Sequence, residues 1–135
     1  MGSSTKITSV IKSLLTHLRT NASAFGMKTV YDYVPEQKDL TFFVVLGEVS
    51  TKDDGTKFGH GEFITIDIEI WSKNKGKYKD LLVAKKIQEL LENELVPLPE
   101  EEDFIVISQQ ANDIVSRELE YGNFLTILQL KIRIQ

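Results

Sequence analysis

The sequence predicts an α+β fold: a single domain with an antiparallel or mixed β-sheet and two α-helices packed on one face, in the order α-β-β-β-α-β-β. Three observations carry this. From Ile64 to Ile70 every second residue is isoleucine, with Phe63, Thr65, Asp67, Glu69 and Trp71 between and around them. A strand sends alternate side chains to opposite faces, so one face of this segment is pure isoleucine and the other is mixed. The last segment, 123–134, repeats the logic, with Phe124, Leu128, Leu130, Ile132 and Ile134 on one parity and Gln129, Lys131, Arg133 and Gln135 on the other. Two segments show the three-and-four apolar spacing of amphipathic helices, which gives both apolar sheet faces something to be buried against.

Taken in order, the first helix is expected over about Thr5–Thr20, with Ile7, Val10, Ile11, Leu14, Leu15 and Leu18 on its stripe. Met1–Ser4 reads as a disordered or non-native leader and is given no structural weight. Asn21–Gly26 reads as the helix exit, with Gly26 able to adopt positive φ. "KTVYDYV" at 28–34 is a short extended piece closed by Pro35, which disfavours helix at Val34. "LTFFVVLGEV" at 40–49 is apolar on both parities, as expected of a strand covered on both faces. "STKDDGTKFGHG" at 50–61 is a polar connection with a turn signal at Asp54-Gly55. It is long for a hairpin, and such connections are often functional or mobile.

After the isoleucine strand, expected over 62–72, a second helix is predicted over about Tyr78–Leu95. Its stripe is Val83, Ala84, Ile87, Leu90, Leu91 and Leu95. "VPLPEEED" at 96–103 is an acidic linker that two prolines keep from continuing the helix. Two strands close the chain, near 104–110 (extending toward Arg117) and 123–134, joined by a turn at Glu120–Asn123.

Composition narrows the function classes. The 135 residues fit one domain, with 41% apolar and 27% charged residues, as in ordinary globular proteins. Apolar runs are too short to span a bilayer as a helix, and the N-terminus lacks a secretory pattern, so no membrane partner is expected. There is no cysteine, hence no disulfide, thiol nucleophile or thiolate metal site, in keeping with synthesis in a reducing cytoplasm. A net charge of −4 argues against a general nucleic-acid-binding surface, and no sequence-specific nucleic-acid contact is expected.

The search for chemistry yields little. His17 at the edge of the first helix and His60 in the loop read as surface histidines. "PEEED" reads as a solvated run, and Asp53-Asp54-Gly55 as a turn rather than a calcium loop. No catalytic, metal or cofactor site is predicted. Asp67 and Glu69 lie about 6.5–7 Å apart on one strand face, a separation compatible with acid/base work, but no pocket or cofactor motif accompanies them. The structural alternative pairs them across strands with Lys131 and Arg133, each exposed pair contributing under ~1 kcal/mol.

In sequence order, "VYDYVP" at 30–35, "FFVVLGEVS" at 42–50, "GEFITIDIEIWS" at 61–72 and "YGNFLTILQLKIRI" at 121–134 resemble the tail-completion proteins of long-tailed bacteriophages, also called head–tail joining or tail-terminator proteins. The resemblance runs through nearly the whole chain from about Ile7. It implies a non-enzymatic structural protein of the virion, located at the head–tail interface. Such a subunit forms a ring, typically of six copies, that caps the tail tube and meets the head connector. The implied partners are therefore other copies of itself, the head connector or completion protein and the tail tube protein, with no cofactor. Residues expected at the contacts are Lys52, Asp53, Asp54 and Lys57 in the loop, and Asp67, Glu69, Lys131 and Arg133 on the sheet. Trp71 is either a plug at the strand end or an interface anchor. Two other readings stay open: a small protein- or peptide-binding module of an unrelated system, and an acid/base enzyme using Asp67 and Glu69.

Overall fold

The computed structural model describes residues 3–36, 41–53, 61–73 and 77–135. Its elements are helix α1 (Ser3–Thr20), a short 3-10 turn (Ala22–Phe25), strands β1 (Phe42–Asp53) and β2 (Glu62–Lys73), helix α2 (Lys77–Asn93), and strands β3 (Val106–Glu118) and β4 (Asn123–Ile134). The four strands make one antiparallel sheet in the order β1-β2-β4-β3. The expected α+β class, antiparallel pairing and two covering helices are all present.

The isoleucine face does what its alternation dictates. Ile64, Ile66, Ile68 and Ile70 are fully buried, as are Leu128, Leu130, Ile132 and Ile134 of β4. They pack in one core with Val10, Leu14 and Leu18 of α1 and Val83, Ala84, Ile87 and Leu91 of α2. Each full burial of such a side chain is worth ~1.5–3 kcal/mol, so this layer dominates the energetics of the fold. None of the helices among the described residues is long and apolar enough to cross a membrane.

β3 is attached to α2 by amides as well as by the apolar side chains of Val106, Ala111 and Ile114. Gln109 Nε2 donates to the Leu91 and Glu94 carbonyls (2.7 and 2.8 Å), and its Oε1 accepts from Val96 N–H at 2.9 Å. One β3 side chain thus caps the C-terminus of α2, where carbonyls lack helical partners. The buried Gln88 of α2 donates in return to the Ala111 carbonyl at 2.6 Å. Ala111 lies where the β3–β4 register shifts between Gln110 and Asp113, so Gln88 satisfies a carbonyl at the bulge.

Several expectations are corrected. The segment 28–34 is not a full strand. It makes one parallel bridge, Tyr31 to Val45, with Tyr31 N–H donating to Val44 O and Leu46 N–H to Tyr31 O (2.9 and 2.8 Å). Pro35 and the exposed polar residues around it leave no room for a longer ladder. The element order is therefore α-β-β-α-β-β. β1 runs on to Asp53, so Ser50–Asp53 belong to a strand, paired with Thr65–Glu62, and not to the loop. Residues 54–60 of that loop, including Asp54, Lys57 and His60, lie outside the described residues. α1 begins at Ser3, inside the leader that the sequence left aside. α2 ends at Asn93, and Leu95 is exposed instead of closing its stripe. His17 is buried, not a surface residue, with Nε2 3.5 Å from Glu94 Oε2. Gly26 takes the anticipated positive φ, 81°.

Candidate assembly surface

The face of the sheet away from the helices is built by the residues between the buried ones: Phe63, Thr65, Asp67, Glu69 and Trp71 of β2, all half-buried, flanked by the matching positions of β1, β4 and β3. Register decides what each of them meets. Asp67 lies opposite Gln129 and Glu69 opposite Ile127, whereas Lys131 lies opposite Thr65 and Arg133 opposite Phe63. The expected pairing of Asp67 and Glu69 with Lys131 and Arg133 is thus off by two or more pairs and is not made. Gln129 Nε2 donates to Asp67 Oδ1 at 3.3 Å, and the Trp71 indole N–H donates to Glu69 Oε1 at 3.0 Å. The two carboxylates have separate partners and do not converge on a common cavity.

The cations gather at the other end. Lys131 Nζ stands 4.7 Å from the centroid of the Phe63 ring and Arg133 Cζ 5.8 Å. Lys52 of β1, exposed, is the strand neighbour of Phe63 on its other side. Cations over a ring face are held by its quadrupole, at ~0.5–1 kcal/mol when exposed. Three predicted site residues, Lys52, Lys131 and Arg133, therefore share one corner around Phe63. Asp53, also exposed, pairs in register with Glu62 at the end of the same ribbon.

The opposite corner is aromatic. Phe43 and Trp71 stack with ring centroids 6.0 Å apart and planes within 8°, and Tyr31 meets Phe43 edge-on at 6.3 Å. Tyr33 adds a further edge contact to Tyr31 at 6.4 Å. Trp71 and Phe43, together with Val34, Pro35 and Leu119, border a cavity of about 230 Å³. Trp71 is thus neither a core plug nor a bare anchor; it closes the strand end against Phe43 and keeps part of its surface in solvent. Gly47, at the β1 bulge between Leu46 and Val49, leaves the space that the Glu69 carboxylate fills. The "LGE" and "IWS" stretches meet here: a side chain at 47 would displace the acceptor that holds the indole.

Sequence reasoning overlooked Asp80. It is fully buried in the first turn of α2, near the Thr126 hydroxyl, which sits 3.5 Å from Asp80 Oδ2 and 2.9 Å from Ser116 Oγ. Burial pushes its carboxyl up from 3.8 to about 6, against the opposing pull of the Ser72 and Thr126 hydroxyls. Asp80 Oδ1 and the buried Ser72 Oγ have no hydrogen-bond partner of good geometry among the described residues. Only its place just after Lys77 and Lys79 in a helix start marks Asp80 in the sequence, and that signal is common. No cluster of three or more metal-ligating side chains occurs among the described residues.

An antiparallel sheet with one face sealed by helices and the other carrying half-buried aromatics and a cationic corner defines a domain whose distinctive chemistry lies on an open surface. The chain belongs to the tail completion protein gp17 family, whose sequence profile matches residues 12–135. A chain from the virion of a native gene transfer agent particle has the same fold, with a TM-score of 0.75 at 20% identity over 94% of this chain and 92% of that one. Among curated proteins, none matches the sequence. Family membership gives the protein a structural role in a phage-type tail, and hence a place in the virion.

Proposed function

We propose that the protein terminates the tail tube of a phage-type particle as a ring of copies, six in the simplest case, and joins the tail to the head connector. The family match over residues 12–135 carries this reading. Two features of the fold support it. The outer sheet face holds Val115 exposed on its edge strand β3 and Tyr33 at its aromatic corner, 61% and 66% accessible. Among the described residues the β3 edge has no strand partner on its outer side, a ready template for contact with another chain. Interfaces between assembling subunits combine such aromatic anchors with a charged rim.

The contact residues proposed are Lys52, Asp53, Asp54 and Lys57 at the β1–β2 end and Asp67, Glu69, Lys131 and Arg133 on the sheet. The partners are neighbouring copies, the head connector and the tube protein. The subunit is made in the host cytoplasm and incorporated at the head–tail junction as a structural part, not a catalyst.

The test is complementation of a particle lacking its own copy of the gene. Replacing residues 54–57 with glycines leaves every β1–β2 pair intact. Filled heads and finished tails are expected to accumulate unjoined, while the isolated variant keeps its circular dichroism spectrum. Normal infectious particles from this variant would move the joining surface to the Asp67/Lys131 face. Joined particles made with no copy of the protein at all would overturn the reading.

A further inference from the structure

The charge order along α2 runs against the helix that carries it. Lys77 and Lys79 stand in its first turn and Lys85 and Lys86 at its middle, all exposed. Glu89 and Glu92 follow in the last two turns, with no basic residue in the final one. A helix carries partial positive charge at its N-terminus and negative charge at its C-terminus, so cations early and anions late are unfavourable. The buried Asp80 offsets part of this in the first turn. At the other end Gln109 caps two carbonyls and His17 stands 3.5 Å from Glu94, but no lysine or arginine lies in the last turn to meet Glu89 and Glu92. α1 obeys the rule, with His17 and Arg19 in its last turn.

Nor do the charges of α2 neutralise one another. Among the described residues, Lys77, Lys79, Lys85 and Lys86 make no ion pair. Lys79 and Glu92 lie thirteen residues apart on the helix, about 20 Å at its rise. That is more than two screening lengths at physiological salt. The acidic end continues beyond the helix through Glu100, Glu101 and Asp103, all exposed. Each charged end also exposes large apolar side chains: Tyr78 and Leu82 (76% and 44%) on the basic end, Leu95 and Ile105 (55% and 62%) on the acidic end. Lys85 and Lys86 adjoin Glu89 at mid-helix, but the outer ends of the two patches, opposite in charge and alike in composition, are complementary to each other and cannot meet within one subunit.

We infer that the basic first half of α2 in one copy docks on the acidic 89–103 region of the next copy, head to tail. This rests on the ring reading above and names the surface that closes the ring. A patch that meets a different patch on its neighbour is a heterologous contact, the kind that generates rings when the rotation closes. The unfavourable charge order is then relieved only on assembly.

Two charge-reversed variants test it. One carries Lys77→Glu and Lys79→Glu, the other Glu92→Lys and Glu101→Lys; all four positions are exposed, and both variants are expected to keep the wild-type circular dichroism spectrum. Either alone presents like charges at every contact, and its incorporation into particles is expected to fall by about tenfold or more. An equal mixture restores incorporation, because alternating copies present opposite charges again. In free subunits, Lys77→Glu/Lys79→Glu raises the melting temperature, since it agrees with the helix dipole.

The wild-type control separates this inference from the ring reading. A zero-length carbodiimide couples amines to carboxylates in contact, and an equal mixture of light and heavy isotope-labelled protein marks couplings between copies. Light–heavy links from Lys77 or Lys79 to Glu92 or Glu101 are expected in purified particles. If particles contain closed rings but each variant assembles alone as well as wild type, or the mixture restores nothing, the docking surface is wrong and the ring stands. If particles contain only single copies, the ring reading falls and takes this surface with it.

Discussion

The two faces of β2 share one backbone and differ in almost everything else. The inner face is four isoleucines at zero exposure; the outer face is Phe63, Thr65, Asp67, Glu69 and Trp71, none of them fully buried. The inner face holds the fold through area removed from water, a term that adds up without regard to direction. Outer contacts are directional and individually weak: a hydrogen bond from Gln129, an indole N–H on Glu69, two cations over one ring. One strand is thus committed to stability on one parity while the other parity stays free for partners.

The largest effect is expected from Ile68→Ala. Its side chain is fully buried at the centre of the core, so truncation is expected to cost about 2–5 kcal/mol by urea denaturation. A cost below ~1 kcal/mol would mean that the inner face is not the load it is taken to be.

A second change probes the polar exception in the core. Burial raises the Asp80 carboxyl from 3.8 to about 6, so the folded protein holds that proton more tightly than the unfolded chain does. The stabilising share of this group is fully present below about 3.8 and is lost as pH rises through about 6, a difference of up to ~3 kcal/mol. Asp80→Asn is expected to flatten the fall in stability between about pH 4 and 6.5, measured as melting temperature against pH. An unchanged slope in the variant would assign the pH dependence to other groups.

The smallest expected effect is on the outer face. Asp67→Ala removes one 3.3 Å hydrogen bond at a partly solvated site and is expected to cost under ~1 kcal/mol. A loss equal to that of Ile68→Ala in the same urea series would erase the distinction between the faces.

How much of this could be read in advance follows from the range of each interaction. The isoleucine alternation, the helix stripes apart from Leu95 and the turn at Gly122 (φ 70°) are local patterns, and they appear where the sequence puts them. Which outer residue of β2 faces which residue of β4 depends on register across a connection of nearly fifty residues, and there the expected ion pairs failed. Lys131 and Arg133 share a parity with the right partners but meet Phe63 instead. Gln88 and Gln109 were invisible for the same reason: a glutamine on a helix or strand reads as surface until the bulge carbonyl or helix end it serves is brought to it. Asp80 looked like one more charge in a lysine-rich helix start. The "LGE" and "IWS" stretches were legible as a family pattern, but their physical link, a glycine that admits the carboxylate holding the indole, needed coordinates.

That link gives the protein a built-in optical reporter. Trp71 is the only tryptophan in the chain, half in solvent, stacked on Phe43 and hydrogen-bonded through its indole N–H to Glu69. Indole emission shifts to shorter wavelength when water leaves the ring. Whatever covers the aromatic corner during assembly will therefore be recorded by fluorescence from one residue, in solution and in real time, with no label attached. Iodide quenching of the same signal, before and after mixing with partner proteins, would distinguish a contact at this corner from one made elsewhere on the subunit.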